Sequence, residues 1–475
     1  MTASRAWSVL LVVAGLLAAI AVGHWVEALW SGRPVLYGEG AVANAAILLR
    51  DGNPYLDETG AVAANYPPLY LWLASLADPF RSGRLVTIAS AIAVALIVWW
   101  RARAAGTLPR TALALTWLAL TPVAIWGAAV KPDLLAIALM VGGVAALDDA
   151  ARPALGSRGS AARSAVLGGA LLAAAVWAKP TALLPAAVVM AYVLAFARPV
   201  FARAALGGVA VGALALAHAA TLGIGDVWRH VVVWNALPWS AEQALLLLIL
   251  GVAAVGILVA SAARAGAFAG LPLAYVLGAA GVAVLGGREG ATINYLLDLT
   301  AATIYAIATV APRLSISTGF PLAVAAQVVL GFAVLAPFGL LPGRDTGTGA
   351  WRSAQAGPVS AALHVDGTYI ADDSGPLVRS GIAPVIDDLF LWSRLAEAGL
   401  VDPTPVLERV RAGEIDAILS EVELERIGEA RPFERARWHP DLVAAILERY
   451  DRMATPGDPA PAPGGPGWLW VYTPR

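Results

Sequence analysis

The chain has 475 residues, of which 59% are hydrophobic and 14% charged, and its mean hydropathy is +0.71; soluble domains carry about a quarter charged residues, so water is not its main solvent. A formal net charge of −1 without a basic stripe excludes nucleic acid as a partner. The absence of cysteine excludes disulfides, thiolate metal sites and cysteine nucleophiles.

Crossing a hydrocarbon core of ~30 Å takes roughly 17–25 mostly apolar residues. The first such run, 7–30 behind Arg5, is longer than the apolar core of a secretory signal and reads as an uncleaved span. In the loop that follows, 31–84, an apolar stretch at 40–50 ends at Asp51-Gly52-Asn53-Pro54, which is a helix stop and turn. It reads as a helix lying on the membrane surface. The segment 66–80 reads as an interfacial or re-entrant helix in the same loop. Further spans are expected at 85–100, 111–130, 133–147, 164–178, 180–197, 204–222, 244–263, 269–287, 291–311 and 319–341, making about eleven crossings. Arginines mark alternate loops: Arg101, Arg103 and Arg110; Arg152, Arg158 and Arg163; Arg198 and Arg203; Arg264; Arg313. The positive-inside rule puts these loops and the N-terminus in the cytoplasm. A crossing at 66–80 would turn all of them outward, which is why that segment is kept outside. Trp228, Trp234 and Trp239 read as an interfacial belt.

The expected architecture is therefore an α-helical polytopic membrane protein: a transmembrane domain at 1–342 and a small extracytoplasmic α/β domain at 343–475. In the latter, short strands are expected at 368–371, 417–419 and 468–472, helices at 387–398 and 405–412, and a Pro/Gly/Ala insertion at 456–467. Its acids fall in ordinary amphipathic helices, so the domain is expected to shape acceptor binding and to leave chemistry to the membrane domain.

Only two of the 32 basic residues are lysine, Lys131 and Lys179, and each precedes a proline that opens a predicted span. Proline favours the first helical position, so each lysine sits at a helix N-terminus, where unpaired N–H groups already favour an anion. That combination suits a phosphate; the alternative is a lysine snorkelling to the interface. Glu39 follows Gly38 at the start of the surface helix, where it can act as a general base or simply compensate the helix dipole. Asp133 and Asp298 lie at or within spans, where a charge costs about 2.5–3.5 kcal/mol and marks function or a buried pair. For Asp133 the plain alternative is pairing with Lys131. The five histidines show no ligand spacing, and there is no Walker loop, no dinucleotide fingerprint and no metal motif. No cofactor is expected, and no motif supports a divalent metal.

The order Gly38-Glu39-Gly40, Asp51-Gly52-Asn53-Pro54-Tyr55 and Tyr66-Pro67-Pro68-Leu69-Tyr70 resembles the first outer loop of the C-type (GT-C) glycosyltransferases. Lys131-Pro132-Asp133, Trp177-Ala178-Lys179-Pro180-Thr181 and Asn294-Tyr295-Leu296-Leu297-Asp298 resemble stretches of bacterial proteins related to protein O-mannosyltransferases and the lipid A aminoarabinose transferase. The resemblance covers about 1–341. It implies a cell-membrane enzyme that moves a sugar from a polyprenyl-phosphate carrier to a glycan, lipid or protein acceptor on the outer face, by inverting displacement. It assigns the base to Glu39 and the donor phosphate to Lys131, Lys179 and Arg288. Asp57, Tyr66, Asp133, Asn294, Tyr295 and Asp298 follow as further substrate-binding residues. Many such proteins carry an adjacent acidic pair where this chain has only Glu39, which argues against metal dependence. A transporter or flippase of a lipid-linked sugar is the alternative. Transporters favour inverted repeats and mid-membrane charges, whereas most charges here sit at span ends.

Overall fold

The computed structural model describes residues 1–152, 158–335, 363–453 and 470–475. The predicted insertion at 456–467, the expected domain boundary at 342 and the last part of the span at 319–341 lie outside them.

The first helix, α1 (Ala3–Ser31), shows how lipid as solvent shapes the bundle. Leu10, Ala14, Ala18, Ala21, Trp25 and Ala28 recur at three- and four-residue spacing and are buried, while Val12, Leu16 and Ile20 face outward. Lipid tails are as apolar as leucine, so helices associate through small residues that let backbones approach. The short helices α2 (Glu39–Asp51) and α3 (Pro68–Ala74) follow, then α4 (Pro79–Arg101). At 1.5 Å per residue, neither α2 nor α3 can cross the bilayer.

The run predicted at 111–130 forms two helices, α5 (Thr107–Ala119) and α6 (Thr121–Trp126). Pro122 lacks the N–H that a continuous helix would need, and Leu120 is extended between them. The chain from Gly127 to Pro132 is thereby freed from helix and carries Val130 and Lys131 to the bundle's end. Next come α7 (Asp133–Ala151), longer than predicted, then α8 (Arg158–Ala178), α9 (Leu183–Phe196) and α10 (Arg198–Thr221). The backbones of α8 and α10 touch: a Cβ on Gly169 would fall 1.8 Å from the Ala204 carbonyl, and one on Gly207 2.0 Å from that of Val166. After the short α11 (Ile224–Trp228) the bundle closes with α12 (Ala241–Gly251), α13 (Ile257–Arg264), α14 (Gly270–Leu285), α15 (Leu297–Leu314) and α16 (Gly319–Leu335).

Among the described residues seven helices are long and apolar enough to cross a membrane, and three shorter apolar ones accompany them. The broken pair α5–α6 completes the expected set. At one end Arg101 bonds both Asp148 and Asp149, and Asp148 also takes Arg152 at 2.8 Å and the Tyr305 hydroxyl at 3.3 Å. At the opposite end lie α2, α3, both lysines and the C-terminal domain.

That domain holds a four-stranded sheet in the order β1 (Tyr369–Ala371), β2 (Ala417–Ser420), β4 (Trp470–Pro474), β3 (Tyr450–Arg452). β1 and β2 are parallel and the other pairs antiparallel. Strand β3 escapes prediction because only Tyr450 is buried, leaving no alternation to read. Helices α17 (Gly375–Arg379), α18 (Leu389–Glu397), α19 (Thr404–Ala412), α20 (Pro432–Arg435) and α21 (Pro440–Arg449) complete it. The domain sits directly on the first loop: a Cβ on Gly40 would lie 2.3 Å from the Gly375 nitrogen, and Asp387 accepts from Ala63 N at 2.7 Å and Asn44 Nδ2 at 3.2 Å. Trp234 is buried in this domain's core, so the expected aromatic belt keeps only Trp228 and Trp239 exposed.

The arginine asymmetry predicts that the Arg101 end faces the cytoplasm. In the cysteine-free background an impermeant maleimide should label Glu408→Cys on intact cells, and Thr107→Cys only after permeabilisation. The reverse pattern would invert the orientation.

Candidate active site

Gly38 adopts a left-handed φ of 73°, which turns the chain into α2 and folds the Glu39 side chain back into the protein. Glu39 Oε2 accepts from Val35 N at 2.8 Å and Arg84 Nη2 at 2.9 Å, and Oε1 accepts from Val130 N at 2.8 Å. Arg84 also donates to the carbonyls of Ala128 at 2.8 Å, Ala28 at 3.0 Å and Arg33. Both side chains have no exposed surface. The expectation that Glu39 offers a reachable carboxylate to an acceptor therefore meets a buried, fully bonded group. What it does instead is hold Val130, and with it the next residue.

Lys131 Nζ donates to the Gly38 carbonyl at 2.9 Å and stands 6.0 Å from the Tyr66 ring centre. Among the described residues it has no ion-pair partner. Desolvation pulls its ammonium below the ordinary lysine range; Asp388, Glu39, Asp133 and Asp373 oppose this from a distance, Asp388 most strongly.

Lys179 has the opposite environment. Its Nζ lies 2.5 Å from Asp133 Oδ1 and 5.3 Å from the Tyr295 ring. Burial works against its charge, but Asp133, Tyr295 and Asp298 outweigh it and hold the lysine above its ordinary range. Asp133 thus pairs with Lys179 and not with its sequence neighbour Lys131. Asn294 Nδ2 donates to the same Oδ1 at 2.9 Å, while Asp133 Oδ2 is buried without a partner. Arg288 lies 5.9 Å from the Tyr295 ring and donates to the Asn235 carbonyl. Its Nε is buried without a partner, and no carboxylate among the described residues pairs with it.

Tyr66 is the common neighbour, feeling the charges of Asp133, Arg288 and Asp388 as well as Tyr295. Asp298 is buried at the start of α15 on the Lys179 side. Asp57 stands apart: its carboxylate takes Thr59 Oγ1 at 2.8 Å and Val62 N at 3.1 Å, organising its own loop, and its carbonyl takes His230. Among the described residues no group of three or more His, Asp or Glu side chains could hold a metal.

Sequence reading missed four contributors. Arg84 was a span boundary, although an ionisable residue beside an apolar run is itself a signal. Tyr37 lies in the loop, donating to Asp388 Oδ1 at 3.1 Å. Asp387 and Asp388 were placed inside a helix but precede it; an acid before an apolar run is an N-cap signature. Behind the site, an apolar groove of about 520 Å³ runs between α8, α9 and α10, lined by Gly169, Leu172, Trp177, Ala186, Met190 and Gly208.

The chain has the fold of the C-type glycosyltransferases. ArnT from Cupriavidus metallidurans bound to undecaprenyl phosphate superposes with a TM-score of 0.58 at 12% identity, covering 96% of this chain and 97% of that one. The apo ArnT structure gives the same coverage and TM-score at 13% identity. The apo oligosaccharyltransferase of Archaeoglobus fulgidus gives 0.48 at 11% identity over 93% of this chain and 73% of its own. No protein-family model matches the sequence, and no curated protein matches it.

Glu39→Ala should leave the buried Arg84 guanidinium uncompensated, at a cost of about 3–5 kcal/mol, read as a lower thermal midpoint in detergent. An unchanged midpoint would mean that the pair does not hold the loop. Burial also pushes the Asp373 carboxyl from 3.8 up to about 6. The folded state then keeps a proton that the unfolded chain has lost, so this group's stabilisation is complete below about pH 4 and disappears as pH rises through 6. Asp373→Asn should raise the midpoint at pH 8 relative to wild type and change it little at pH 4.

Proposed function

We propose that this protein transfers a sugar from a polyprenyl-phosphate carrier to an acceptor at the non-cytoplasmic end of the bundle, with inversion at the anomeric carbon. The observation that carries the reading is the pair of cations without carboxylate partners among the described residues, Lys131 and Arg288, both near Tyr66. A half-buried ammonium with no counter-ion is stabilised by an arriving anion. A phosphate is the anion that a helix-end lysine and an arginine fork suit.

In the proposed reaction the acceptor oxygen forms a bond to the anomeric carbon as that carbon's bond to the phosphate oxygen breaks. Polyprenyl phosphate leaves with the electron pair. Lys131 and Arg288 meet the charge that develops on it, the electrostatic contribution such a displacement needs. The unpartnered Asp133 Oδ2 is free to accept from a sugar hydroxyl, while its Lys179 and Asn294 contacts fix its position. The apolar groove reaches Trp177, two residues before Lys179, and suits the isoprenoid tail. Glu39 acts in this reading by position: through Val130 it fixes Lys131. The undecaprenyl phosphate in the similarly folded ArnT supports the choice of carrier.

Two lysines with opposite environments should fail differently. Lys131→Ala should weaken binding of undecaprenyl phosphate about 10- to 100-fold, the effect of a charged hydrogen bond worth about 1.5–3 kcal/mol. Lys179→Ala should mainly lower thermal stability, because it strands Asp133. Both are measured on the purified chain in nanodiscs, alongside release of polyprenyl phosphate from synthetic hexose and pentose donors with bare membranes as acceptor. A wild-type protein that binds donor and never cleaves it would favour transport over transfer.

A further inference from the structure

Glu39 being spent, the proposed displacement lacks a group to take the acceptor's proton, and the first loop offers none at the lysine. A partly exposed carboxylate with one unbonded oxygen comes from the other domain. Asp388 is the N-cap of α18: its Oδ1 accepts from Leu391 N and from the Tyr37 hydroxyl, each at 3.1 Å. Its Oδ2 accepts no hydrogen bond from any described residue. Gly38 marks where that oxygen points. A Cβ at Gly38 would have two atoms near it, Lys131 Nζ at 3.0 Å and Asp388 Oδ2 at 3.8 Å, and no other within 4 Å. The unpaired ammonium and an unused carboxylate oxygen therefore both border the Cβ position of the buried Gly38, the ammonium in tight contact with it.

The mounting of Asp388 is rigid. Its neighbour Asp387 is buried and bonded to Ala63 N and Asn44, and Ser374 donates to the Asp387 carbonyl at 2.5 Å. Tyr37 ties the pair to the loop twice, through Asp388 and by accepting from Phe390 N at 3.0 Å. On the far side Arg394 of the same helix pairs with Glu289 at 3.5 Å, beside Arg288. The helix thus spans from one proposed phosphate cation to the other.

We propose that Asp388, supplied by the C-terminal domain, is the catalytic base of this enzyme. The inference rests on the transfer reading above. The acceptor hydroxyl approaches beside Gly38, within reach of both Lys131 and Asp388, its oxygen attacks the anomeric carbon, and its proton passes to Asp388 Oδ2. The departing phosphate is held on the Lys131 side and leaves with the bonding pair. The proton returns to solvent when the products separate. An acid and a cation that border one point give the two partial charges of the displacement separate anchors.

The test uses Asp388→Asn, because asparagine caps a helix about as well as aspartate, so the substitution removes basicity and leaves the N-cap. In nanodiscs, release of polyprenyl phosphate in single turnover should fall about 100-fold or more, with the affinity for undecaprenyl phosphate unchanged. Asp388→Ser, another good cap, should behave alike, and Asp388→Glu should recover part of the rate. Transfer by Asp388→Asn at the wild-type rate would overturn the assignment and leave the transfer reading intact. Loss of undecaprenyl phosphate binding in a variant with a normal thermal midpoint would overturn it too, by making Asp388 a binding residue. A wild-type chain that binds no undecaprenyl phosphate and cleaves no donor would remove the transfer reading itself, and this proposal with it.

Discussion

Everything at the functional end of the molecule hangs on one buried ion pair. Arg84 at the start of α4 and Glu39 at the start of α2 have no exposed surface, and between them they bond α1's last turn, the following loop, and the extended chain at Ala128 and Val130. Taking two charges out of water is costly, and mutual attraction repays it only when the remaining donors and acceptors are also satisfied. Here both Glu39 oxygens and three Arg84 nitrogens are bonded, five of the six links reaching backbone. An apolar contact could not do the same work, because it would fix distance without direction. The pair converts the end of an α-helical bundle, where backbone would fray, into a stiff frame that holds Gly38 and Lys131 in place.

The electrostatics of the frame follow from which charges are matched. Lys179 and Asp133 neutralise each other, so their contribution is structural: they tie α7, the start of α9 and the Asn294 loop together. Lys131 and Arg288 are left over. Two cations without ion-pair partners among the described residues thus stand where the bundle meets the C-terminal domain, in a setting of low dielectric where each unit of charge acts strongly. Sequence proximity gives the wrong pairing here. Asp133 is two residues from Lys131, but it opens α7 and its carboxylate faces α8's end, where Lys179 waits.

The membrane architecture was legible because its cause is one-dimensional: lipid demands long apolar runs, and arginines label alternate ends. The break at Pro122 was in the sequence and went unread, since apolarity continues through it. The membrane half of the site was legible for a related reason. Lys131, Lys179, Asp133, Asn294, Tyr295 and Tyr66 stand out because polar residues are scarce in so apolar a chain. The other half was not. In the C-terminal domain acids are common, so Asp388 carries no rarity signal, and only its place beside Gly38 in three dimensions distinguishes it. Glu39 differs in the opposite sense: its position stands out, but the sequence could not show that both its oxygens are buried and bonded.

That division has a physical reason. A carboxylate able to accept a proton must keep one oxygen free, and a free carboxylate inside the bundle would face the full penalty of burial. Glu39 escapes the penalty only by giving up both oxygens to Arg84 and to backbone N–H groups. An acid mounted on a domain outside the lipid avoids the conflict, since Asp388 is partly exposed and can leave Oδ2 unbonded at little cost. The close backbone contact of Gly40 with Gly375 then gains a purpose beyond docking. It brings a solvated acid within reach of a cation anchored by the membrane bundle, two groups that neither domain could hold together alone.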